Sequence, residues 1–143
     1  MPSAENRLGP ESGATLIEVL VTVVILGFAV VAVVGALFTT IIGADLNRKQ
    51  ATARTVLVSA AETVKSQTVN PYQDCATSYD LAPVTFPAGW AAGDVSMTVS
   101  YWNGSGFSSS CAGDQKLQLV TLTATAPDAK AVESVEVVKR NPA

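Results

Sequence analysis

The chain has no histidine, and over its 143 residues that single absence removes more chemistry than any other. Imidazole is the commonest general base and metal ligand, so Ser/His/Asp and Cys/His nucleophilic catalysis are both excluded. Charge is also sparse. Nine Lys and Arg against twelve Asp and Glu leave a net charge of -3, with no long basic block, which argues against a nucleic-acid surface built by bulk electrostatics. No phosphate loop, carboxylate pair or metal-ligand cluster emerges from the spacing, so the chain is expected to be no enzyme and to need no cofactor. Asp74, Asp80, Asp94, Asp114 and Asp128 are scattered through loops and read as solvated turn residues. A calcium site of oxygen ligands stays open as the alternative. Only two cysteines are present, Cys75 and Cys111, and they do not form a CxxC motif. An even count in a segment read as exported suggests a disulfide, with two reduced buried thiols as the other reading.

What the sequence has in abundance is one apolar run. Ser12 to Gly43 reads SGATLIEVLVTVVILGFAVVAVVGALFTTIIG, and from Val19 to Ala44 no residue is charged. As a helix this uncharged part would extend roughly 39 Å, enough to cross a hydrocarbon core of about 30 Å. One carboxylate, Glu18, stands near its start, where membrane insertion costs about 2.5 to 3.5 kcal/mol unless the group sits at the interface, is protonated or has a partner. The leader Met1 to Gly13 is polar, with Pro2, Pro10 and a single Arg7. The run after it is about twice too long for an ordinary secretory signal of 7 to 15 apolar residues.

The register Gly13-Ala14-Thr15-Leu16-Ile17-Glu18, continued by the apolar stretch to Gly27, resembles the processing site and helix start of type IV prepilins and pseudopilins. The resemblance implies a prepilin peptidase that cuts after Gly13 and methylates the new N-terminal Ala14. It also implies that Glu18, fifth in the mature chain, sets the stagger of subunits by pairing with an N-terminal amine. Ala14 and Glu18 are four residues apart and so share one helical face. The plainer reading of Glu18 is a carboxylate near the head groups that favours the helix N-terminus. Ala14 departs from the phenylalanine or methionine usual at that position, which bears on methylation efficiency. The family's helix-breaking proline is absent, so any local melting falls to Gly27 and Gly35.

Beyond Gly43 the pattern turns amphipathic. Leu46, Ala53, Leu57, Ala60 and Val64 keep helical spacing, with Thr55, Ser59, Glu62 and Ser66 opposite. The helix is expected to continue to about Thr68, ahead of Asn70-Pro71, as a rod of roughly 80 Å from Ala14. A Pro- and Gly-rich ordered loop follows to Gly93. Val95, Met97, Val99 and Tyr101 alternate with Ser96, Thr98 and Ser100, which marks a half-buried strand. Asn103-Gly104-Ser105-Gly106 is a turn, Leu117 to Ala126 a central strand, Pro127 to Lys130 a second turn and Val132 to Val138 a third strand. Trp90, Tyr101, Trp102 and Phe107 are either an exposed partner surface or, more often in a small sheet, core.

The expected fold is α+β: a long N-terminal helix, half transmembrane and half amphipathic, packed on a small antiparallel sheet as in type IV pilins. The expected divisions are a leader at 1–13, a transmembrane or filament-core helix at 14–43, and an exported domain at 44–143 with a disulfide loop and a three-stranded sheet at about 95–139. The resemblance makes the partners a prepilin peptidase, other pilin or pseudopilin subunits, the membrane assembly machinery and the bilayer. Nucleic acid enters only if the filament serves DNA uptake. The location would be the inner membrane, with the leader cytoplasmic and the C-terminal domain outside, and afterwards a periplasmic or extracellular filament. Arg48, Lys49 and Arg54 after the run weakly favour the reverse orientation by charge. The competing function is a single-pass anchored binding or adhesin module that never polymerises.

Overall fold

A computed structural model describes residues 15–112 and 115–142. The helix α1 spans Leu16–Lys65, and the chain divides into two compact units, one ending at Ile42 and the next beginning at Gly43. The second unit holds the remainder of α1, a short 3-10 turn at Ala92–Asp94 and four strands: β1 Val95–Trp102, β2 Phe107–Ser108, β3 Leu117–Thr125 and β4 Val132–Arg140. All pairings are antiparallel, in the order β2-β1-β3-β4. The fold class is therefore α+β, as expected.

The sheet has four strands where three were expected. β2 is only two residues long, too short for any alternation to mark it. It arises because the Asn103 carboxamide oxygen accepts hydrogen bonds from the backbone N–H groups of Ser105 and Gly106, both at 3.0 Å, and folds the chain back along β1. Gly104 at φ 99 supplies the left-handed turn residue, and a side chain there would meet Gln115. β1, β3 and β4 form the expected meander, and β2 adds a short edge outside β1.

Alternation decides which residues face α1. Val95, Met97, Val99 and Tyr101 of β1 lie level with Ala124, Leu122, Val120 and Gln118 of β3, and these with Glu133, Val135, Val137 and Lys139 of β4. The apolar members of these rows meet Ala53, Val56, Leu57, Ala60, Ala61 and Val64 of α1 in one core. The expected helical stripe thus gains Val56 and Ala61, whereas Leu46 stays exposed, outside that core. Removing a core side chain such as Leu122, fully buried, costs about 2 to 5 kcal/mol when truncated to Ala.

The last row is polar. Gln118 and Lys139 are buried at 0% and 2% exposure, between Tyr101 and the end of α1. The Gln118 carboxamide accepts from the Tyr79 hydroxyl at 2.6 Å and donates to the Gln73 carbonyl at 2.9 Å. The Lys139 ammonium donates to the carbonyls of Val64 at 2.7 Å and Asn70 at 2.6 Å and lies 4.9 Å from the centre of the Tyr79 ring. The Asn70 side chain donates to Thr63 and Asp80 carbonyls and accepts from the Asp80 N–H. The helix was expected to reach Thr68 and stops at Lys65 instead, since these side chains take over the carbonyls that a further turn would have used.

Burial pushes the Lys139 pKa below its ordinary value. The unfolded chain then binds this proton more tightly, so stability should rise with pH in the window just under about 10.5, the ordinary lysine value. Replacing Lys139 by Met should abolish that alkaline rise and, by orphaning two carbonyls, lower stability near neutral pH by about 1 to 3 kcal/mol. Urea unfolding of the detergent-solubilised chain, followed by tryptophan fluorescence across this pH range, measures both. An unchanged neutral-pH midpoint would refute the capping role.

Candidate functional site: the exposed apolar helix

In the first unit every described residue from Thr15 to Ile42 is exposed, including large side chains such as Phe28 and Val31, each more than 70% exposed. An apolar surface of this extent marks contact with lipid or with another protein. The segment is long and apolar enough to cross a membrane. Apart from the Glu18 carboxylate, much of its polar surface is satisfied internally: the helix pairs its own backbone, and threonine hydroxyls donate back to preceding carbonyls, Thr22 to Glu18 at 2.7 Å and Thr40 to Ala36 at 2.8 Å. Gly27 and Gly35 lie within the helix without interrupting it and have open space where a side chain would stand.

Glu18 lies in the first turn of α1, where the Thr15 carbonyl accepts the N–H groups of Glu18 at 2.8 Å and Val19 at 3.2 Å. Negative charge there is favoured by the helix dipole. Among the described residues Glu18 has no ion-pair partner. The cleavage and methylation positions Gly13 and Ala14, and with them the Ala14–Glu18 pairing, lie outside the described residues.

The disulfide joins Cys75 and Cys111, whose Cα atoms are 5.5 Å apart. It ties the loop after α1 to the link between β2 and β3, as expected from the chain order. Around it the Tyr101 hydroxyl donates to the Ala76 carbonyl at 2.8 Å, and Lys116 pairs with Asp74 at 2.6 Å. The other loop aspartates are engaged locally: Asp80 accepts from Ala82 N–H, Asp94 from Ala91 N–H, and Asp128 from Lys130 N–H. Asp114 lies outside the described residues. The four aromatics divide: Tyr101 is core, Trp90 packs half-buried against it, and Trp102 and Phe107 meet edge to face at 5.2 Å on the outer sheet face.

By sequence the cations after the apolar run show only their charge. The structure gives two of the three partners: Lys49 bridges Asp45, four residues back, and Asp128 in the β3–β4 turn at 2.7 Å, while Arg54 reaches Glu133 at 3.3 Å. Hydrogen bonding to Asp128 and then Asp45 raises the Lys49 pKa, and the same bond lowers that of Asp128. The signs are opposite. The Asp128 contribution to stability is present above its ordinary pKa and fades as pH falls through the depressed one, and that of Lys49 fades as pH rises through its raised one. The Asp45–Lys49 spacing was a sequence signal for part of this; the long-range partners had none.

No protein-family model, curated protein or solved structure matches this chain.

Replacing both cysteines by serine should cost about 3 to 4 kcal/mol in the chain-entropy model, given their sequence separation of 36. Urea titration of the oxidised chain against the double variant, both in detergent, checks it. Coincident curves would mean that the bridge constrains nothing in the unfolded state.

Proposed function

We propose that the chain is the precursor of a type IV pilin-like or pseudopilin subunit, anchored by α1 until a prepilin peptidase removes Met1 to Gly13, and afterwards packed through the same helix into a filament. The observation that carries this reading is the pairing of two features on one helix. The segment that follows the Gly13–Glu18 motif exposes apolar side chains on every face, and the later part of α1 is a wall of a small α+β core. A helix of the first kind needs lipid before assembly and apolar neighbours after it, and both belong to a pilin's life. The disulfide supports placing the second unit outside the cytoplasm, because such bonds persist in oxidising compartments. Glu18, on this reading, gains its partner when cleavage frees the amine of Ala14.

The mass of the membrane-derived chain is the direct test. Loss of Met1 to Gly13 with one added methyl group on Ala14 supports the proposal, whereas an intact N-terminus in a strain that assembles filaments favours the non-polymerising anchored module. Gly13→Leu should leave the full-length precursor, and normal processing of that variant would sink the peptidase assignment. Glu18→Ala should be processed yet absent from sheared filaments; its normal incorporation would remove the assembly role.

A further inference from the structure

Next to the start of the second unit lies an open cleft of about 350 Å³, walled by α1 through Asp45, Arg48, Lys49 and Thr52 and by the loop residues Pro87 and Trp90. From the geometry we infer that this cleft receives the phosphodiester head group of a phospholipid from the bilayer holding the apolar part of α1, with Arg48 as the phosphate's partner. The inference rests on the membrane-anchored reading of that helix.

Position is the first argument. Gly43 follows directly on the exposed apolar unit, and Arg48 is five residues further along the same helix, about 7.5 Å in rise. Head-group layers occupy about 5 to 8 Å on each side of the hydrocarbon core, so a cation this few residues along α1 from the apolar segment is within reach of lipid phosphates. Charge is the second. Lys49 and Arg54 are engaged by Asp45, Asp128 and Glu133, whereas Arg48 is exposed and has no ion-pair partner among the described residues. A guanidinium presents its donors as a fork that matches phosphate oxygens. The third argument is Trp90. Its backbone N–H closes a turn onto the Pro87 carbonyl at 3.0 Å, with Gly89 at φ 85 supplying the left-handed residue. The turn holds the half-buried indole at the cleft, and tryptophan favours the membrane interface because one part of the ring is apolar and the other donates a hydrogen bond. A volume of about 350 Å³ is also within the range of small-ligand sites.

The test uses the full chain in vesicles of phosphatidylcholine and phosphatidylglycerol. Trp102→Phe keeps a ring against Phe107 and leaves Trp90 as the reporting indole. A nitroxide on the lipid head group should quench Trp90 about twofold more than one deep in the acyl chain. Arg48→Gln should reduce that quenching by about half, and Arg48→Lys should restore part of it. Inorganic phosphate added to the solution should change neither. Unquenched Trp90 in a chain that floats with the vesicles, quenching indifferent to Arg48→Gln, or displacement by free phosphate would each overturn the head-group assignment alone. A chain that fails to float would overturn the membrane anchor and this inference together.

Discussion

The last turn of α1 ends among groups that no further helical N–H can satisfy, and the buried ammonium of Lys139 is the interaction that resolves this. Its three donors meet two carbonyls, from Val64 at the helix end and Asn70 in the following loop, beneath the face of Tyr79. Among the described residues no carboxylate pairs with it, so the compensation for burying a cation comes from oriented peptide dipoles and a ring quadrupole. A leucine of similar volume would avoid the desolvation cost but leave both carbonyls orphaned. Because β4 supplies the ammonium, helix, loop and sheet share one fastening point. Asn70 repeats the logic by serving Thr63 and Asp80 at once.

Around that point the second unit is modest. Apart from Lys139 and Gln118, its largest fully buried side chains are Leu122 and valines, and three alanines of α1 lie in its core. Such a core gains little per residue from apolar burial. The Cys75–Cys111 bridge and the polar row therefore carry an unusual share of the work of holding the loop from Asn70 to Gly93 against the sheet. The first unit has the opposite composition: abundant apolar surface and, among its described residues, none that is buried. The described apolar side chains of the first unit are thus left for surroundings outside the chain.

Much of this was legible from residue pattern. The uncharged run, the Val95 to Tyr101 alternation and the turn at Pro127 to Lys130 each follow from a period or a turn signal, and the structure places elements there. The polar row was not legible. Gln118 and Lys139 occupy inward positions of strands whose period assigns polar residues outward, and only the spacing of Lys139 two residues after Val137 and four after Val135 hinted at an inward lysine. β2 has too few residues for any period. Leu46 satisfied the helical stripe, but a stripe says which face is apolar and not whether a partner covers it. Arg48 and Trp90 come together only through a loop closure across some forty residues of chain, which no local pattern records. Glu18 is legible as part of a motif, and among the described residues its environment is the first turn of a helix.

The fastening at Lys139 also has an order in time. Val64 and Lys139 are 75 residues apart, and β4 is the last of the described elements in the chain. In a chain delivered N-terminus first, the end of α1 and the loop at Asn70 emerge long before the ammonium that closes them, with the entropy of that long loop still to be lost. Until then the second unit has an open helix end and an incomplete sheet. Arrival of β4 completes the sheet and the cap in one step, so folding of this unit is timed by delivery of its last strand.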